Sequence, residues 1–148
     1  MKKIFRILLL IFFNTIFIAT STFAEEEKIK IGLLGPLTGD NEKIGKQIVK
    51  AVRMALKDIG TNQIEVYPKD TQSDPNTNFR SAVELDQMGI NLIIGPVFYE
   101  NLIYLNEINN ITFLSLTNKT LDLPKNVISA GINSTSQLNT IKKFIEIN

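Results

Sequence analysis

From Lys28 onward the chain alternates two hydrophobic periods. Lys28-Ile29-Lys30-Ile31-Gly32-Leu33-Leu34-Gly35 first alternates and then turns continuously apolar, as a strand does on entering a buried sheet. Pro36 to Lys43 is a turn-rich loop. Ile44, Ile48, Val49, Val52, Ala55, Leu56 and Ile59 then recur at helical spacing, and Gly60 closes that helix. Gln63 to Lys69 reads as a second strand, with Ile64 and Val66 on one face. Asp70 to Asn76 is a loop containing Asp74-Pro75, an N-cap followed by proline at the first helical position. The second helix runs to about Met88, turns Phe79, Ala82, Val83 and Leu85 inward, and stops at Gly89.

Asn91 to Ile94 is a short third strand, ended by Gly95-Pro96. A third helix is expected over Tyr99 to Asn109, carrying Leu102, Ile103, Leu105 and Ile108. Strands follow at Ile111 to Leu116 and Val127 to Ile132, and Ser134 is expected to cap a last helix through Leu138, Ile141, Phe144 and Ile145. The order β-α-β-α-β-α-β-β-α predicts an α/β fold, a doubly wound parallel sheet in a three-layer αβα arrangement. In such a sheet ligands sit outside the carboxyl ends of the strands, near the point where strand order reverses. The loops to inspect are therefore Pro36 to Ile44, Gly95 to Tyr99, Ser115 to Asn118 and Asn133 to Ser136. They hold mostly hydroxyls, glycines, prolines and apolar side chains, the composition of a small-molecule cleft.

The first 24 residues follow a different logic. Lys2, Lys3 and Arg6 precede the nearly unbroken apolar run Ile7 to Ile18, and Thr22-Phe23-Ala24 supplies small residues at the −3 and −1 positions of a cleavage site. This is the order of a secretory signal peptide. As a membrane anchor the run would reach only about 18 Å against a hydrocarbon core of about 30 Å. Residues 1–24 are thus expected to leave, and the remaining chain to reside in the periplasm with no stable membrane span. Loss of the three signal cations turns a formal charge of +1 into a small acidic surplus. Such a surface does not favour nucleic acid, which needs a cationic face. The chain ends inside its last predicted helix, which suggests part of a longer polypeptide.

Composition narrows the chemistry further. With no Cys and no His, disulfides, zinc sites, thiol chemistry and His-dependent triads lose their usual groups, so no enzyme, no metal and no cofactor is expected. Gly39, Gly45 and Lys46 follow a strand and open a helix, but five residues separate the glycines where a phosphate loop needs four. Gln47 also stands where Ser or Thr would hold magnesium. Asp70 is read as ordering its loop and Asp74 as a cap. Asn110-Ile111-Thr112, Asn118-Lys119-Thr120 and Asn133-Ser134-Thr135 match the glycosylation pattern, which so Asn-rich a chain reaches by chance.

Ile31-Gly32-Leu33-Leu34-Gly35-Pro36-Leu37-Thr38-Gly39 and Ile44-Gly45-Lys46-Gln47 resemble the opening of type I periplasmic binding proteins, the leucine/isoleucine/valine-binding proteins of ABC transporters and their relatives. The resemblance continues through Asp70-Thr71, Leu92-Ile93-Ile94-Gly95-Pro96-Val97 and Phe113-Leu114-Ser115. It implies two lobes closing over a ligand, with residues 25–148 forming most of the first. It also implies a solute-binding role, an amino acid or similar small polar metabolite as ligand, and an ABC permease as partner. The ligand-binding positions it points to are Ile44, Val97, Phe98, Tyr99, Ser115, Leu116, Thr117 and Asn133. Three of them depart from the amino-acid binders: Ile44 replaces an aromatic residue, Tyr99 a small hydroxyl residue, and Asn133 stands where an acid can be found. The penicillin-binding protein activators, a second branch of the superfamily, resemble the chain at Ile44, at Phe113 to Asn118 and at Ile132-Asn133. They imply instead an interaction module whose partner is a cell-wall synthase.

Overall fold

The computed structural model describes residues 28–147, together with Ile4. The expected signal segment, Ile4 apart, lies outside the described residues. Five strands form one all-parallel sheet: β1 (Ile29–Gly35), β2 (Ile64–Asp70), β3 (Leu92–Ile94), β4 (Thr112–Ser115) and β5 (Val127–Ser129). Their spatial order is β2-β1-β3-β4-β5. Order reverses at β1, so the right-handed crossovers carry their connections to opposite faces of the sheet. The register sets Gly32 beside both Tyr67 and Ile93, and Gly35 beside Asp70. Pro68, which has no N–H to donate, sits in the edge strand β2, where the ladder tolerates it.

Among the described residues from Lys28 onward, three α-helices accompany the sheet: α1 (Glu42–Ile59), α2 (Pro75–Gln87) and α3 (Ser134–Ile147). α1 begins two residues before its apolar stripe and ends at Gly60 in the left-handed conformation that a C-cap glycine adopts without steric cost. At α2 the expected cap forms: Asp74 Oδ1 accepts from the N–H of Thr77 at 2.7 Å, with Pro75 in the first turn. Thr77 Oγ1 donates to the same oxygen at 2.8 Å, and the two bonds from Thr77 hold the Asp74 carboxyl below its usual range. At α3 the cap is Asn133, not Ser134. Its Oδ1 accepts from the N–H of Ser136 at 2.9 Å, while Ser136 Oγ accepts from the N–H of Asn133 at 3.3 Å. This reciprocal pair is a capping box that starts one residue earlier than expected.

The crossover from β3 to β4 is not the helix expected over Tyr99 to Asn109. It consists of two 3₁₀ turns, Tyr99–Leu102 and Leu105–Glu107, separated by extended Ile103 and left-handed Tyr104. Leu102, Leu105 and Ile108 are buried, whereas Ile103 is half exposed. Burial every third residue matches the three-residue turn of a 3₁₀ helix, so one side of each turn meets the core without a continuous α-helix. β5 also stops at Ser129, short of the expected Ile132, which lies outside the sheet and exposed.

The core follows from this arrangement. Leu34 of β1, Ile93 of β3, Phe113 of β4, Ala82 and Leu85 of α2, and the crossover leucines form one buried cluster. Full burial of each large side chain contributes about 1.5–3 kcal/mol. Coverage elsewhere is thinner: Ile44 and Ile59 at the ends of the α1 stripe are exposed, and α3 buries no residue. The exception in α1 is Gly45, which lies directly against the main chain of Pro36, where any Cβ would overlap the carbonyl oxygen. Gly45→Ala is therefore expected to push α1 off the first loop and to destabilise the fold by about 1–3 kcal/mol, read as a lowered midpoint in chemical denaturation.

Candidate functional site

All five strands point the same way, so Gly35, Asp70, Ile94, Ser115 and Ser129 end at one rim. The segments leaving those ends are joined by hydrogen bonds from side chains to the main chain. After β1 and β2 the joint is Asp70. Its Oδ1 accepts from the N–H groups of Leu37 at 2.7 Å, Gln72 at 3.0 Å and Thr38 at 3.3 Å, and its Oδ2 accepts from Thr38 Oγ1 at 2.5 Å. Asn41 Nδ2 donates to Ser73 Oγ at 3.0 Å and adds a second tie. Partial burial pushes the Asp70 carboxyl up, but the hydroxyl and amide donors outweigh it and hold the group below its ordinary value.

After β3, β4 and β5 hydroxyls make the joints. Ser115 Oγ donates to the carbonyl of Pro96 at 3.0 Å and accepts from the N–H of Thr117 at 3.3 Å. Thr117 Oγ1 accepts from the N–H of Lys119 at 3.3 Å, and Ser129 Oγ donates to the carbonyl of Thr117 at 3.0 Å. Gly131 passes so close to the carbonyls of Leu116 and Thr117 that only a residue without Cβ fits. Below this rim, Asn78 of α2 is fully buried and its Nδ2 donates to the carbonyl of Asn101 at 2.8 Å, fixing the first 3₁₀ turn.

Of the eight positions singled out in the sequence, Ser115 is the last residue of β4 and the other seven lie beyond the carboxyl ends of strands or in the first turn of α1. They differ in what they present. Ser115 and Thr117 are buried and spent on the joints just described. Asn133 is committed to the α3 cap. Val97, Phe98 and Leu116 are half buried, while Ile44 and Tyr99 are exposed. One cavity of about 960 Å³ reaches this rim, between the β3–β4 crossover and the loop from Lys119 to Asn126, and of the eight residues Tyr99 alone lines it. Lys119, not anticipated as a site residue, holds its ammonium 5.8 Å from the centre of the Tyr99 ring. The sequence carried one signal for it: Lys119 follows the strand-end hydroxyls by two to four positions, one residue past the Ser115 to Asn118 loop marked for inspection.

A reversed parallel sheet with its loops tied at one rim defines a lobe of the doubly wound α/β class. A family model described as a periplasmic binding protein matches residues 28–144, and the chain belongs to that family. No curated protein matches it. Similar solved structures include the solute-binding protein of an ABC transporter from Rhodopseudomonas palustris BisB5 in complex with 3,4-dihydroxybenzoic acid (26% identity, TM-score 0.58, covering 62% of this chain and 27% of that one). A branched-chain amino acid transporter protein from R. palustris CGA009 aligns with TM-score 0.62 at 22% identity, covering 73% of this chain and 33% of that one. The branched-chain amino acid substrate-binding protein of Streptococcus pneumoniae, in complex with isoleucine, aligns with TM-score 0.60 at 20% identity over 68% of this chain and 33% of its own. The chain thus spans between about a quarter and a third of the length of these structures. Among the described residues no helix is long and apolar enough to cross a membrane.

The Asp70 joint has a pH signature. A carboxyl held below its ordinary value of 3.8 stabilises the fold fully above that value and loses the contribution as pH falls through the depressed one. Asp70→Asn should cost about 1.5–3 kcal/mol near neutral pH. In thermal melts the gap between wild type and variant should close progressively below about pH 4.

Proposed function

We propose that this chain is a periplasmic, non-enzymatic solute-binding lobe of an ABC-type uptake system. Its ligand is a small organic acid, an amino acid or a similar polar metabolite, which a membrane permease then receives. The observation that supports this most is the convergence of the connecting segments, joined by Asp70, Ser115, Thr117 and Ser129, at one rim of a family-typical sheet. Rigid elements beneath and short tied loops above are how a binding surface is kept pre-organised. The ligands named for the similar structures, isoleucine and 3,4-dihydroxybenzoic acid, share a carboxylate, which supports an acid as the common chemistry. On this reading Ile44, Val97, Phe98, Tyr99 and Leu116 shape the cleft, while Ser115, Thr117 and Asn133 hold its walls in place.

The test is a thermal-shift and calorimetric screen of the chain against amino acids and small organic acids. A ligand supplied at 100 times its Kd should stabilise the protein by about 2.7 kcal/mol, visible as a raised melting temperature. If no acid in the panel binds, solute binding is overturned and an interaction module of the activator kind takes its place.

A further inference from the structure

The 960 Å³ cavity touches the rim at one end only. Tyr99 and Lys119 stand where β3 and β4 finish, whereas Asn109 lies just before β4 begins and Asn126 immediately before β5. Because the strands are parallel, the cavity runs along the flank of the sheet, away from the strand ends. Its walls are the two 3₁₀ turns of the crossover and the loop from Lys119 to Asn126, and no lining residue belongs to a strand. It is a lateral site, distinct from the cleft above the rim.

The polar groups here are not spent on holding main chain, as those of the rim are. Glu100, Asp122, Lys119 and Lys125 all line the cavity, and none of the four forms an ion pair among the described residues. Asn106 and Asn109 add exposed carboxamides. Two rings complete the wall. Tyr104 is 47% exposed and braced edge-on by Phe79, with ring centres 6.0 Å apart, and Tyr99 is similarly open. Tyr104 and Asp122 also hold left-handed backbone, with φ of 69° and 53°. That conformation is costly for a bulky ring, and at Tyr104 it breaks the crossover into two short turns and lays the ring at the cavity wall.

Such a lining discriminates through what it repels. A lone carboxylate meets Glu100 and Asp122, and an amine meets Lys119 and Lys125. A zwitterion of amino-acid size satisfies one of each but leaves most of the volume unfilled, since cavities approaching 1,000 Å³ hold drug-sized ligands. A peptide draws affinity from a free strand edge or an apolar helix groove, and no strand lines this cavity. A sugar hydroxyl both donates and accepts, so it serves carboxylate, ammonium and carboxamide alike without bringing charge. The C–H face of a sugar ring also lies well against the negative face of a tyrosine.

We propose that this lateral cavity is a second binding site, taking a neutral oligosaccharide of about two or three units. Tyr104 is its stacking platform, and Asp122 and Lys125 are its hydroxyl partners. The site shares only Tyr99 with the rim positions, so it does not depend on what the rim binds.

The test titrates maltotriose, cellotriose and chitotriose into the full chain, followed by calorimetry and amide chemical shifts, with benzoate and lysine as charged controls. At least one trisaccharide should bind, move the resonances of residues 99–109 and 119–126, and leave those of 37–44 and 133–136 in place. Its affinity should be unchanged between low and high salt, whereas a charged ligand weakens as salt rises. Tyr104→Ala should weaken binding about tenfold or more, and Tyr104→Phe should retain most of it. Asp122→Gly accepts the left-handed backbone, so it should weaken the sugar severalfold with the melting temperature of the free protein unchanged. The proposal is overturned if no trisaccharide binds, if binding survives both Tyr104→Ala and Asp122→Gly, or if the shifts appear at the rim instead. Tighter binding of benzoate or lysine at these residues also overturns it, and none of these results bears on the acid screen of the rim.

Discussion

The Asp70 carboxylate is the constraint on which this molecule turns. β2 ends at that residue, and β1 lies beside it in exact parallel register from Ile29 to Gly35. A parallel pair cannot be closed by a hairpin, so nothing local fixes where the chain goes after Gly35. Asp70 does so from the neighbouring strand, by taking the main chain of Leu37 and Thr38 as donors. With the loop fixed, Gly45 can be laid against Pro36, and α1 is docked at its first turn rather than along its apolar stripe. Charge-assisted bonds to a partly buried group suit this task, since each is about twice as strong as a neutral one.

A second economy appears across the rest of the rim. Ser115, Thr117, Ser129 and Asn133 have the residue types of a ligand site, yet the structure uses their hydroxyls and amide to hold main chain. Buried hydroxyls left unpaired would cost about 1–3 kcal/mol each, so short loops with many carbonyls draw them in. The joints fix where the loops stand, leaving the rim rigid where it meets the sheet.

Much of this could be read from the residues alone. The parallel sheet, the cap at Asp74 and the stops at Gly60 and Gly89 are written in local chemistry: apolar runs, an Asp-Pro pair, glycines with positive φ. The loops forming the rim were also legible, because strand order in an alternating chain dictates which end they share. The β3–β4 crossover was not. Leu102, Ile103, Leu105 and Ile108 fit a helical stripe as well as a three-residue period, and only the pull of Asn78 on the Asn101 carbonyl and the turn at Tyr104 separate the two. Nor was the placement of Lys119 legible, for it depends on a through-space approach to a ring twenty residues earlier. Residue type told which hydroxyls belonged to the rim, but only their hydrogen bonds told that they were already occupied.

The distribution of burial bears on how such a lobe can hold a guest. The cluster around Leu34, Leu85, Ile93 and Phe113 backs β1, β3 and β4, the strands that carry the Pro36 and Gly95 loops and the Ser115 joint. The rim is therefore stiff where it meets the sheet. Above it, Tyr99 and Ile44 stand open to solvent, and α3 turns Leu138, Ile141, Phe144 and Ile145 outward. A small-molecule site ordinarily buries 70–90% of its ligand, whereas an open rim covers one side.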